Sequence, residues 1–228
     1  MVRVTHWLTA VCFFALLVSG VELIISHPRF YWGEEGNVNT ASLFDLPIPA
    51  SRAAVKTGYG YVLPDQNGWS RYLHFQAAWG AVLTGLLYMG YGAVTRHVRT
   101  NLAPSGNDLS WSVLSREIVD HLRFKRPREA DVWSYNVLQR LTYLAVIFVL
   151  FPMMIWTGLA MSPAFTSAFP ATVDILGGHQ SARTIHFFVT LSLVLFVAVH
   201  IAMIVLAGFR GRMRAMITGQ VSVGKEQP

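Results

Sequence analysis

Charge is scarce in this sequence. Only 13% of its 228 residues are Asp, Glu, Lys or Arg, and Asp and Glu together number 12. Soluble domains carry about a quarter charged residues, so an ordinary water-facing surface is excluded. Cysteine is almost missing too. The lone Cys12 rules out a disulfide framework and a thiolate metal site, and a cysteine inside an apolar run is usually a small filler. There is no nucleophile motif with an adjacent base, no phosphate-cradling glycine loop and no dinucleotide fingerprint. Substrate chemistry is therefore expected to lie on another chain. The net charge of +6 is no signature of nucleic-acid binding, because the basic residues cluster beside the ends of apolar runs.

What the sequence has instead is long apolar runs, with 53% hydrophobic residues overall. A helix needs about 20 mostly apolar residues to cross a bilayer. Four stretches qualify, near 6–26, 72–95, 137–161 and 183–209. The expected fold is all-α, an integral membrane four-helix bundle forming a single domain over 1–228. Arg3 precedes the first run, but no small-x-small cleavage site follows it, and Glu22 and His27-Pro28 close it. It reads as a retained span rather than a removed signal. Arg3, Arg96, Arg99, Arg116, Arg123, Lys125, Arg126, Arg128, Arg210, Arg212 and Arg214 fall on one side, against Arg29, Arg52, Lys56, Arg71 and Arg183 on the other. The richer side is the cytoplasmic one. Both termini are thus expected inside, in the inner membrane of a bacterium.

The connections differ in kind. Residues 27–70 form a long outer loop, broken by Pro28, Pro47, Pro49 and Pro64 and by several glycines, yet rich in Phe30, Tyr31, Trp32, Tyr59, Tyr61 and Trp69. Such a loop either caps the bundle or offers a docking surface. The inner loop 96–134 carries Trp111, Leu114, Ile118 and Leu122 at helical spacing, with Asn107 or Asp108 as the cap. That pattern predicts a short amphipathic helix on the inner surface. Pro152 is expected to kink the third span. The small residues Ala77, Ala78, Gly80, Ala81, Gly85 and Gly90 of the second span serve helix packing or make room for a flat macrocycle.

Histidines carry the functional signal. His186 and His200 lie in the fourth span, fourteen positions apart, which is roughly 21 Å along a helix and within about 40° on one face. Imidazoles in a membrane helix usually face a protein interior where something binds them. By depth, His6 opens the first span beside His200, and His74 opens the second beside His186. Taken singly, His6 also suits an interfacial belt residue. Two matched pairs instead point to two bis-histidine haems, an inner one on His6 and His200 and an outer one on His74 and His186. His97 and His179 are the rival ligands, in loops or at span ends, and His121 is expected to be solvated. Arg71 and Arg183 suit the outer haem propionates, and Arg3 or Arg140 the inner ones. Long cations at span ends also simply snorkel.

These features together resemble the bacterial di-haem cytochrome b family of the cytochrome b561/Ni-hydrogenase type. Members include formate dehydrogenase gamma subunits and the cytochrome b subunits of nickel–iron hydrogenases and thiosulfate reductases. The resemblance rests on His6-Trp7, on Arg71-x-x-His74, on a histidine-free third span, and on His186-x13-His200. It implies two haem b groups and an exchangeable quinone near the inner haem, bound by His200 and by Asn136 of the stretch Tyr135-Asn136-x-x-Gln139. Leu138 departs from the family's glycine at that place. The long aromatic outer loop looks more like cytochromes that serve periplasmic molybdopterin oxidoreductases. The implied role is an electron conduit between a periplasmic redox enzyme subunit and the quinone pool, with homodimers of such complexes left open. Two other readings stand beside it, a stand-alone superoxide:quinone oxidoreductase and a haem-free transporter or scaffold using its histidines as proton relays.

Overall fold

The computed structural model describes residues 1–37, 39–48, 66–104, 109–122 and 137–220. Asn107, Asp108, Tyr135, Asn136 and most of the second half of the outer loop lie outside the described residues. The elements in order are α1 (Val2–Ser26), β1 (Arg29–Phe30), β2 (Phe44–Asp45), α2 (Gln66–Thr95), a π-turn (Val98–Leu102), α3 (Trp111–Leu122), α4 (Val137–Ala145), a second π-turn (Val146–Leu150), α5 (Phe151–Ala160), α6 (Pro163–Thr166), α7 (Ala171–Asp174), α8 (His179–Leu206) and α9 (Phe209–Thr218). Among the described residues, four segments are long and apolar enough to span a membrane: Val2–Ser26, Gly68–Thr95, Val137–Ala160 and His179–Leu206. The protein is an all-α, multi-pass integral membrane protein, as its sequence leads one to expect. The fourth span starts four residues earlier than hydropathy suggests, because the polar His179, Gln180 and Ser181 form its first turn.

Burial is inverted relative to a soluble protein. Val4, Leu8, Val11, Val18 and Val21 of α1 are exposed, and so are Leu83, Leu86 and Val94 of α2. Among the described residues the buried polar ones are small hydroxyls: Thr5, Ser19, Ser26, Ser70, Thr84, Thr157, Ser181 and Thr184. Lipid tails solvate the aliphatic faces, so helix contacts are left to small side chains that permit close approach. In α1 these recur every seventh residue at Thr5, Cys12, Ser19 and Ser26. With no water in the bilayer core each hydroxyl must find a partner. Ser19 donates to Ala15 O at 2.7 Å, Thr84 to Gly80 O at 2.7 Å and Thr157 to Met153 O at 2.7 Å.

The chain divides into two compact units, Met1–Gly90 with Pro152–Thr190, and Tyr91–Phe151 with Leu191–Pro228. In the first, α1 meets α2 where Cys12 lies against Gly80, so close that a β-carbon on Gly80 would sit 2.9 Å from the sulfur. α5 meets the start of α8 around Ala160, Ala182, Trp156 and Ile185, with Val173 and Leu176 closing the cluster. The Trp156 indole donates to Thr172 O at 3.0 Å.

The described part of the outer loop is pinned to α8. β1 and β2 pair antiparallel, Arg29 with Asp45 and Phe30 with Phe44. The Phe30 ring stacks on Phe44 at 4.7 Å and packs against Phe187 at 4.5 Å. Gly33 O accepts from the backbone N–H groups of Gln180 and Ser181 at 3.0 and 3.2 Å, and Gly33 N–H donates to Ser181 Oγ at 2.8 Å. His179 N–H, at the start of α8, donates to the Glu34 carboxylate at 2.9 Å, so an anion caps the positive end of the helix. Thr184 donates to Tyr31 O at 2.7 Å. Gly178 makes this approach feasible. Its φ is +113°, and a β-carbon there would lie 2.5 Å from the backbone of Gly33.

The second unit holds α3, α4 and α9. The amphipathic helix expected in the inner loop is present as α3, and it begins after Ser110. The third span is helical through Pro152. The preceding turn, Val146–Leu150, widens into a π-helix, which accommodates the ring and the missing N–H of the proline. α8 ends at Leu206, and Gly208, between it and α9, is in the left-handed region with φ +98°, a conformation glycine adopts at little cost.

Candidate cofactor site

His74 and His186 come together inside the first unit, with ring centroids 6.3 Å apart. Each ring is held by a hydroxyl on a different helix. Ser19 Oγ of α1 lies 2.9 Å from His74 Nδ1, and Thr157 Oγ1 of α5 lies 2.9 Å from His186 Nδ1. The single proton of each hydroxyl already points at the carbonyl four residues back, Ala15 O or Met153 O. Each oxygen is therefore left to accept, and the histidine nitrogen must donate. Both imidazoles are fixed as Nδ1–H tautomers with the Nε2 lone pair available. That is the state of a metal-binding histidine whose other nitrogen is hydrogen-bonded.

The pair fits haem iron. Two imidazoles bound to one metal from opposite sides at about 2 Å have their ring centres about 6 Å apart, which matches the spacing observed. Among the described residues no group of three or more His, Cys, Asp or Glu side chains converges. Two nitrogens alone are an incomplete set unless a macrocycle supplies the rest. Glycine follows each hydroxyl residue. A β-carbon on Gly20 would meet His74 Cε1 at 3.7 Å, and one on Gly158 would meet His186 Cε1 at 3.7 Å, so both rings are flanked by side-chain-free backbone.

The other expected residues fall as follows. Arg71 is exposed, one turn before His74. Arg183 is engaged with the outer loop: it donates to His27 O and to Gln180 Oε1, and its guanidinium lies over the Phe30 ring at 4.9 Å. His179 has both ring nitrogens turned to oxygen, Nδ1 to Ala160 O at 3.0 Å and Nε2 to Glu34 at 3.5 Å. It serves the start of α8. His6 belongs to the first unit, edge-on to Trp7 at 5.2 Å. His200 belongs to the second, where Phe196 stacks on it at 5.7 Å and Tyr143 stands edge-on at 6.3 Å. His97 lies in that second unit beside Tyr91, ring centroids 6.4 Å apart. Asn136 is outside the described residues. Ser19, Thr157, Tyr143 and Phe196 are site neighbours that sequence reasoning missed. The seven-residue recurrence in α1 was the one available signal, and it points to Ser19.

The family model of prokaryotic cytochrome b561 matches residues 1–219. The chain belongs to that family. As a prokaryotic cytochrome b561 it is a haem b-binding membrane protein of electron transfer. It is similar to a protein of Azospira oryzae provisionally named a protein-methionine-sulfoxide reductase subunit, YedZ1, with 28% identity over 209 residues, 90% of this chain and 87% of that one. It is also similar to the cytochrome b556 subunit of the nitrate-inducible formate dehydrogenase of Escherichia coli K12, with 24% identity over 221 residues, 96% of this chain and 81% of that one. No solved structure matches the chain significantly.

Proposed function

We propose that this cytochrome is the electron-carrying membrane subunit of a quinone-linked oxidoreductase, forming one cytochrome domain over its whole length. The observation that carries the reading is the facing pair His74 and His186, each locked by a hydroxyl in the ligating tautomer. These two residues hold the outer haem b, and His6 and His200 hold an inner one. Haem bound by two imidazoles supplies one-electron transfer with little change of coordination. Arg71 serves the outer propionates, and Arg183 contributes whatever donors its loop contacts leave over. Tyr143 and Phe196 keep the His200 ring oriented. Asn136 and His200 bind the quinone.

The orientation follows the positive-inside rule, with both termini in the cytoplasm of a bacterial cell and residues 27–48 on the periplasmic side. A periplasmic redox enzyme subunit, of the molybdopterin class, docks there. One relative is by name part of a methionine sulfoxide reductase and the other of a formate dehydrogenase, so both support an oxidoreductase partner.

Haem stoichiometry and a redox-titrated difference spectrum of the purified chain test this reading. Two b-type haems at separate potentials, both reduced by a quinol, are expected. One haem would remove a ligand pair, His6 first, and a colourless protein reconstituted with haem would end the reading. Replacing Asn136 with alanine slows reduction by quinol while both haems stay bound. Unchanged kinetics would remove Asn136 from the quinone site.

A further inference from the structure

The hydroxyls behind the outer histidines form two matched relays. From α1 the chain runs Ala15 C=O, Ser19 O–H, His74 Nδ1–H; from α5 it runs Met153 C=O, Thr157 O–H, His186 Nδ1–H. Both hydroxyl residues are fully buried. Both precede a glycine, and both sit on the face their helix turns toward the histidine pair. A hydroxyl on a membrane helix often does no more than bond back to its own i−4 carbonyl. Here that back-bond has a second effect: it uses the only proton and leaves the oxygen as an acceptor, polarised by the bond it already makes.

We propose that Ser19 and Thr157 are positioning residues that set the electron-donating strength of the outer haem's two ligands. The proposal rests on the ligand assignment above, and it adds that the potential of that site is written in α1 and α5 rather than in the helices that carry the histidines. A hydrogen bond from Nδ1–H to an acceptor fixes the ring orientation and raises the basicity of Nε2. A more basic ligand favours the oxidised metal, so each hydroxyl holds the outer potential down. Its loss moves the outer site toward easier reduction and leaves the inner one in place. The two relays act through separate histidines, so their effects are expected to add.

Thr157→Val and Thr157→Ser separate the hydroxyl from its bulk, because the first keeps volume without the oxygen and the second keeps the oxygen without the methyl. Ser19→Ala and Ser19→Thr form the matching pair. Potentials, absorbance maxima and electron paramagnetic resonance of the full-length chain are read together with haem content. Thr157→Val is expected to shift the outer component upward by about tenfold in its reduction equilibrium, which is 59 mV for a one-electron couple. Thr157→Ser stays near the wild type, and Ser19→Ala with Thr157→Val gives the larger shift. Loss of the outer haem in Thr157→Val with retention in Thr157→Ser supports the same role. Outer potential and spectrum unchanged in both hydroxyl-free variants, or equal shifts in Thr157→Val and Thr157→Ser, would overturn it. A wild-type chain without a second haem would instead overturn the ligand assignment itself, a separate and earlier outcome of the same titration.

Discussion

Gly178→Ala is the sharpest test of how the outer loop is held. The new β-carbon would lie 2.5 Å from Gly33 C and O and 2.6 Å from Glu34 N, all of them backbone atoms. Ordinary carbon contacts begin at about 3.5 Å, so the loop must retreat by about 1 Å. Four hydrogen bonds cross that contact: Gly33 O with the N–H groups of Gln180 and Ser181, Gly33 N–H with Ser181 Oγ, and Glu34 with His179 N–H. None survives such a stretch. At about 1 kcal/mol each, with about 1–3 kcal/mol for a side chain at that φ, the attachment weakens by about 5–7 kcal/mol. Gly33→Ala is the matched control. Its φ is +105°, but nothing stands within 4 Å, so it bears the backbone strain alone, about 1–3 kcal/mol. Hydrogen exchange of the protein in nanodiscs reads the difference at the Gln180 and Ser181 amides. Gly178→Ala should lose at least about a hundredfold more protection than Gly33→Ala, since 1.4 kcal/mol is about a factor of ten. Equal exchange in the two variants would refute the close-approach account.

Two further predictions concern the helices themselves. His186→Ala should remove the outer haem component and His200→Ala only the inner one, as difference spectra will show; either variant keeping both components would dissolve the pairing. Gly80→Ala brings a methyl to 2.9 Å from the Cys12 sulfur and should lower thermal stability by about 1–2 kcal/mol. Cys12→Ala in the same chain should restore most of it, and a double variant no better than Gly80→Ala alone would place the strain elsewhere.

The spans were legible because apolar runs are long and charge within them is costly. The approach of His74 to His186 was legible because both lie near the starts of spans that run the same way. Ser19 and Thr157 were harder to see. Serine and threonine are common in membrane helices, and nothing local marks the one whose oxygen faces a ring on another helix. The attachment of Gly33 and Glu34 to the first turn of α8 was invisible for a different reason: its partners lie about 145 residues away in sequence, and neither side carries a motif. His179 was read as a loop residue because hydropathy responds to apolar side chains, whereas its role is to open a helix with polar contacts. Arg183 illustrates a limit of residue type as a guide, since a guanidinium at a span end suits a propionate, a carbonyl or an aromatic face alike.

The pinned loop also bears on the order in which the protein is assembled. Tyr31, Gly33 and Glu34 leave the ribosome just after the first span, yet the groups they bind belong to the last one. Until that one is made, the atoms that will meet α8 lack those partners. The latch closes when the start of α8 arrives, so a chain stopped short of that helix is left open at this place. Protease resistance of residues 29–46 would then report that the start of α8 has been made and has docked, well before any electron has passed through the protein.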